Sequence, residues 1–255
     1  MKEGNCKINR FFWGLALATS VFFAACGKDS SSEADRGGNS KPKAAWAYLK
    51  PSVSYGQMTD ARDGQVYKTV VIGTQTWMAE NLNYKVDSSW CYGNTEDSCA
   101  KYGRLYQWTA AMGLDPKYNR IRWGESDANH QGICPSGWHM PNDADWAVLV
   151  NFAGGKDGAG AKLRSTGGWY EIKNDKDGAL VPGSDAYGFS ALPAGYRYDV
   201  NGGDFSDAGY YAGFWSAMED DESITNPKDL FCDDAIMYTS KSSKSSAFSV
   251  RCVKD

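Results

Sequence analysis

Histidine is almost missing from this chain: the 255 residues contain two, His130 and His139. A Ser-His-Asp hydrolase would have to use one of them, and no Gly-x-Ser-x-Gly elbow is present to expose a nucleophile. No Cys-x-x-Cys occurs either, and the two histidines do not fall at ligand spacing, which argues against zinc. An excess of basic residues is lacking too, with 27 Lys and Arg against 31 Asp and Glu. Phosphate binding runs on basic patches, so nucleic acid is not an expected partner. Acidic residues always offer pairs for glycoside hydrolysis, but no spacing here selects one pair. The expectation is therefore no catalytic set and no enzyme. Leucine and isoleucine are sparse, while aromatic residues reach 14% and glycines number 28. Such a chain buries large rings in a loop-rich fold, or shows some of them to sugars.

What is present begins with the first 26 residues. Lys2, Lys7 and Arg10 form a basic n-region, and Phe11 to Ala25 is an apolar run broken only by Gly14, Thr19 and Ser20. That run of 15 residues is short of the ~20 that span a bilayer as a stable helix. It ends in Phe23-Ala24-Ala25-Cys26, which resembles a bacterial lipoprotein signal with Phe23 in place of the usual Leu. Residues 1–25 then read as a signal peptide and Cys26 as the acylated N-terminus; an ordinary secretory signal cut nearby is the alternative. Residues 26–45 read as the lipidated cysteine and a flexible tether, because GKDSSSEADRGGNSKPK has no apolar anchor to offset its ordering entropy. Acyl chains hold such a domain at a membrane through the N-terminal lipid only. Resemblance to lipoproteins implies the outer membrane or cell surface, since Gly27 and not an Asp follows the cysteine.

Residues 46–255 are enough for one domain with a real core. Without Lys2, Lys7, Arg10 and Glu3 the balance is 24 basic to 30 acidic, a net charge of about −6. Five cysteines remain beyond Cys26: Cys91, Cys99, Cys134, Cys232 and Cys252. In an oxidising compartment they read as disulfides, although five cysteines allow fifteen ways of making two bridges. The CYGNTEDSC loop makes Cys91 with Cys99 the easiest local closure, contributing roughly 2.5 kcal/mol. Pairing Cys134 with Cys252 would join the middle of the domain to its last strand and contribute up to about 5 kcal/mol. Cys232 is then the odd one.

Along the chain, Asp60 to Tyr84 reads as a turn followed by two short strands around Gly73, with Val66, Val70, Ile72 and Trp77 in a period-two pattern. Ala100 to Met112 suits a helix, with Leu105, Trp108 and Met112 on one side and Gly113 closing it. A second helix is capped by Asn142, carries Asp143 and Asp145 in its first turn, and shows Trp146, Leu149, Val150 and Ala153 as one stripe before Gly154. Further strands are expected at Gly188 to Leu192, Tyr210 to Met218, Ala235 to Thr239 and Ala247 to Val253. Strands after helices on one chain argue an α+β fold.

The ordered blocks DGQVYKTVVIGTQTWMAENLNY, YGRLYQWTAAM, GICPSGWHMPNDADW, KLRSTGGW, YGFSALPAGYR, GFWSA and FSVRCVKD resemble the Fibrobacter succinogenes major paralogous domain. The resemblance covers about Asp60 to Asp255 and implies a bacterial extracytoplasmic protein, often a lipoprotein, with no established activity. HMPNDADW before a capped helix, Trp215 in a GFWSA turn and a terminal SVRC strand also resemble, more distantly, sulfatase-modifying-factor domains. That resemblance implies a C-type-lectin-like fold: two helices, small twisted antiparallel sheets and a long loop region. In that fold a disulfide commonly ties a helix region to the last strand, in line with Cys134 to Cys252. The reactive cysteine pair beside an Arg-Gly-Gly-Ser strand, by which formylglycine-generating enzymes work, is not carried here.

Two candidate sites follow. Glu219, Asp220, Asp221, Glu222, Asp229, Asp233 and Asp234 follow the Trp215 turn, where lectin-like domains often place calcium; a solvated acidic loop is the plainer reading. No other cofactor is expected. Trp77, Trp108, Trp138, Trp146 and Trp215 sit in apolar blocks and read as core. Trp90, Trp123, Trp169, Tyr170, Tyr196, Tyr198, Tyr210 and Tyr211 lie in Gly-rich or polar segments, where an exposed ring can stack on a pyranose; Trp169 and the five tyrosines are the ligand-binding candidates. His139, between Trp138 and Met140, reads as a hydrogen-bonded structural histidine. The expected function is a noncatalytic binding or adhesion module for polysaccharide or another glycan. A structural or protein-interaction lipoprotein of the envelope is the alternative, and a divergent enzyme the third reading.

Overall fold

The computed structural model describes residues 43–124, 129–170, 181–199 and 203–255. The expected signal peptide, the expected lipidation site Cys26 and the expected tether through residue 42 lie outside them.

Fifteen short strands and four helices form an α+β domain among the described residues. In chain order the strands are β1 (Gly56–Thr59), β2 (Val66–Ile72), β3 (Gln75–Met78), β4 (Ser89–Trp90), β5 (Leu105–Gln107), β6 (Trp138–His139), β7 (Tyr196–Arg197) and β8 (Phe205–Ser206). They continue with β9 (Tyr211–Phe214), β10 (Ile224–Thr225), β11 (Lys228–Phe231), β12 (Met237–Thr239), β13 (Ser242–Ser243), β14 (Ala247–Ser249) and β15 (Val253–Lys254). The helices are α1 (Glu96–Tyr102), α2 (Trp108–Met112), α3 (Asp143–Phe152) and α4 (Lys156–Leu163).

One sheet has the order β1-β2-β3-β15-β6 and is antiparallel throughout. Its β2–β3 hairpin turns at Gly73, as the sequence predicts, with Ile72 opposite Gln75. The alternation of β2 sends Val70 and Ile72 inward with Trp77 of β3, against Trp146 and Leu149 of α3. The larger sheet has the order β12-β11-β9-β14-β5-β4, with β7 beside β14 and β8 beside β7. On β9, Tyr211 faces one core cluster and Ala212 and Phe214 the other, so this sheet stands between the two halves of the core. The closing FSVRCVKD segment serves both sheets. Its β14 lies in the larger one, and after residues 250–252 its β15 lies in the other, with the Cys252 carbonyl accepting from Met78 and the Val250 carbonyl from Leu82. The expected single strand from Ala247 to Val253 is thus two.

All five tryptophans read as core are buried. Trp77 and Trp146 lie 4.9 Å apart. The Trp108 indole donates to the Ser216 carbonyl at 3.0 Å and the Trp215 indole to that of Tyr106 at 2.6 Å, so both polar tips are satisfied in the interior. The bridges Cys91–Cys99 and Cys134–Cys252 are both formed, with Cα separations of 4.8 and 5.8 Å. Cys232, counted as odd from sequence, is disulfide-bonded too.

Other expectations need correction. The helix predicted over Ala100 to Met112 is broken: α1 ends at Tyr102, β5 intervenes, and α2 restarts at Trp108. Ladder bonds to β14 and β4 capture Leu105 to Gln107, and tertiary pairing overrides a helical apolar spacing. Gly188 to Leu192 forms no strand and contributes one bridge, Ala191 to Arg164. There are four helices instead of two, because α4, KDGAGAKL, has glycines and no apolar stripe to announce it. Gly160 explains the composition: a β-carbon there would collide with the Ile236 carbonyl, so only glycine lets α4 close on the segment before β12. The first described residues are docked on the domain. Lys43 already lies 3.9 Å from the centre of the Tyr67 ring and 3.7 Å from Glu80.

Candidate ligand-binding surface

A turn at Asp207 to Tyr210 leads into β9. Asp207 adopts a left-handed φ of 62°, and its carbonyl accepts the N–H groups of both Tyr210 and Tyr211 at 3.0 Å. Gly209 has φ 91°, and the Tyr170 ring lies so close to its Cα that a β-carbon would run into it. The Tyr170 N–H donates to the Gly209 carbonyl at 2.8 Å, fixing the ring's position from the backbone. Tyr170 then stacks on Tyr210, with centroids 4.3 Å apart and planes 26° apart, and keeps 49% of its surface exposed. A glycine seat and a supporting ring hold an aromatic group in water on a rigid base, at little entropic cost on binding.

The second pair is Tyr196 and Tyr198. They are edge-on at 4.5 Å with their hydroxyls hydrogen-bonded, and Tyr198 is 44% exposed. Tyr196 is half-buried and faces inward, stacked on Phe248 at 5.7 Å and edge-on to Tyr211 at 5.3 Å. Burial raises its phenol above the ordinary value. The Asp207 charge adds to the effect of burial in raising the phenols of both Tyr196 and Tyr92.

Two of the six aromatic candidates are structural. Tyr211 is 6% exposed and its hydroxyl donates to the buried Asp229. Trp169 is half-buried, with its indole N–H turned inward to the Ala191 carbonyl at 3.0 Å and Ser165 Oγ at 3.2 Å, and Arg164 over its ring. A composition rich in glycine marks loops but does not say which side of a ring a strand will cover. The other loop tryptophans have cover as well: Arg197 lies 4.0 Å over Trp90, and Trp123 lies against His130 at 4.9 Å. Tyr92 and Asp207 went unnoticed from sequence because nothing in their spacing links them to Tyr170.

The acidic stretch does not converge. Glu219 is buried against Lys244 Nζ at 2.6 Å and accepts the N–H groups of Trp123 and Gly124. Burial alone would raise its carboxyl, but the lysine and the two N–H groups outweigh it and hold the value below the ordinary one. Asp220 pairs with Lys241 at 2.6 Å, Asp221 takes the Ser223 and Ile224 N–H groups, and Glu222 gives its carbonyl to Lys244. Asp234 accepts from Tyr238 Oη and the Ile236 N–H. Asp229 lies on β11 within the larger sheet, where desolvation raises its carboxyl to about 7 against the bonds from Ser240 and Tyr211. Of the seven residues, Glu219, Asp220, Asp221, Asp229 and Asp234 thus direct their carboxylates to protein partners of their own. The metal-capable grouping among the described residues, Cys91, Glu96 and Cys99, contains a disulfide.

His139 is the structural histidine expected. Its Nδ1 meets Asp255 at 2.7 Å and its Nε2 meets Asp145 at 3.3 Å, tying β6 to the C-terminus and to the first turn of α3. There Asn142 and Asp145 form a reciprocal capping box.

The family model of the Fibrobacter succinogenes major domain matches residues 70–254. The chain belongs to that family. No curated protein and no solved structure matches it. The matched span of this major domain takes in both exposed tyrosines, both described disulfides and α3, while residues 43–69, including β1, lie ahead of it. Among the described residues no helix is long and apolar enough to cross a membrane.

Proposed function

We propose that this chain is a lipid-anchored module of the bacterial cell envelope, at the outer membrane or cell surface, that binds a glycan without transforming it. The observation that carries this reading is the Tyr170 ring, half in solvent, seated on Gly209 and stacked on Tyr210, with Tyr198 as the second exposed ring. A fixed flat ring suits the apolar face of a sugar, and nearby polar groups such as Asp207 suit its hydroxyls. The fold is read as C-type-lectin-like. What supports that reading is the bridge from Cys134, ahead of α3, to Cys252 in the terminal segment that feeds both sheets. The test is retention by insoluble cellulose, xylan and chitin, comparing the protein with Tyr170→Ala and Tyr198→Ala.

A protein-interaction role in the envelope is the second reading, and a specific feature favours it. Val148 and Phe152 lie one turn apart on α3, both exposed, with Phe152 edge-on to Tyr187 at 5.1 Å. Val148→Lys with Phe152→Lys would abolish a crosslinked partner under that reading and leave glycan retention untouched under the first.

A further inference from the structure

The segment ahead of β1 lies over a polar cavity apart from the aromatic surface. Residues 43–55 form a strap. Trp46 Nε1 donates to Glu80 Oε1 at 2.7 Å, Lys50 Nζ to the Ser184 carbonyl at 3.0 Å, and Tyr55 Oη meets Ser190 Oγ at 3.2 Å. Beneath it is a cavity of about 190 Å³ whose walls include Lys43, Glu80, Asn81, Lys101, Ser190 and Arg251.

The charges around this space do not balance. Glu80 is the one carboxylate in the wall, and it is occupied: Oε1 takes the Trp46 indole and the Lys68 N–H, while Lys43 approaches Oε2 at 3.7 Å. That leaves two cations. Arg251 is 1% exposed and donates to Asn81 Oδ1 and to the carbonyls of Phe189 and Ser190, all neutral, with the Phe189 ring 4.3 Å away. Desolvation pulls its guanidinium down to about 9. Lys101 lies over the rings of Tyr48 and Tyr102 at 5.0 and 4.7 Å. Among the described residues no carboxylate forms an ion pair with either cation. Asp185 and Glu80 both bear on Arg251 through their charge, but the Asp185 oxygens are taken by the Ser190 N–H and hydroxyl at 2.8 and 2.7 Å.

Arg251, buried with only neutral partners in contact, carries a desolvation cost that an anion would offset, and Lys101, half-buried in the same wall, brings a second positive charge to the space. We infer that the cavity under the strap binds a small oxyanion, a carboxylate or phosphate group, held by Lys101 and Arg251 with the Asn81 and Ser190 side chains beside it. The volume sets the size: it falls below the roughly 300 Å³ of ordinary ligand pockets, which leaves room for a single charged group and a few further atoms and excludes a disaccharide. Because Lys43 and Ala45 line the same cavity, its occupant also touches the first residues of the strap.

Calorimetric titration of the full chain with inorganic phosphate and with glucuronate, using glucose as the neutral control, decides this. Saturable binding of an anion, absent for glucose, at least tenfold weaker in Lys101→Met and restored in Lys101→Arg, is the expected result. Phosphate alone binding would assign the site to phosphate groups, and glucuronate alone to carboxylates. Binding of neither anion by the unmodified chain, or equal affinity in Lys101→Met with an unchanged melting temperature, would overturn the inference.

Discussion

Tyr170 keeps 49% of its surface in solvent and Tyr211 6%, although both are tyrosines in glycine-rich sequence. The difference comes from what stands opposite each ring: Tyr210 and the bare Cα of Gly209 for the first, Phe248, Phe231 and Asp229 for the second. Tyr170→Ala is accordingly expected to reduce glycan retention severalfold while moving stability by no more than about 0.5 kcal/mol, as surface changes do. Tyr211→Phe should leave retention alone and cost about 1–3 kcal/mol in denaturant melts, since it strips a donor from a buried carboxyl. Asp229 adds a pH signature. Its folded value, about 7, lies above the ordinary 3.8, so the folded chain holds a proton that the unfolded chain has released between those limits. Stability from this residue is complete below about pH 4 and declines as pH rises through 7. Melting temperatures between pH 4.5 and 8 should therefore fall more steeply for the native protein than for Asp229→Asn.

At the level of elements, legibility followed the locality of the cause. Helix α3 was readable because its cap, acidic first turn and apolar stripe lie within twelve residues. The β2–β3 hairpin was readable for the same reason. The break between α1 and α2 was not, because β5 exists only through partners at residues 89–90 and 247–249. Nor was α4, whose glycine content reflects the close approach of residues 235 and 236. The two bridges differ in the same way, one closing 8 residues and the other 118. Replacing Cys134 and Cys252 by Ala should cost about 5 kcal/mol and replacing Cys91 and Cys99 about 2.5, a ranking that urea unfolding can read directly. The strap was invisible from sequence, because its anchors Glu80, Ser184 and Ser190 lie far along the chain. Trp46→Ala removes an indole donor from the buried Glu80 and should cost about 1–3 kcal/mol; an unchanged unfolding curve would mean the strap is not docked in solution.

For the whole molecule, family and α+β class were both legible, the first in seven ordered motifs and the second in helices that precede a run of strands. The site was half legible. Ring type and loop context pointed to six aromatic residues, but exposure is decided by the second sheet, which keeps Tyr170 and Tyr198 at the surface and takes Tyr211 inside. In the acidic stretch, Glu219 and Asp220 pair with lysines far away in sequence, Lys244 and Lys241, which no local spacing announces. We propose that two exposed tyrosines, Tyr170 seated against the Asp207 to Tyr210 turn and Tyr198 beside Tyr196, make this domain a glycan binder. The most direct measurement is depletion of the protein from solution by insoluble cellulose, xylan and chitin, alongside Tyr170→Ala with Tyr198→Ala. The account predicts saturable retention on at least one polymer, lost in the double variant while its melting temperature holds. Retention on none of the three, or retention that survives loss of both rings, would contradict it.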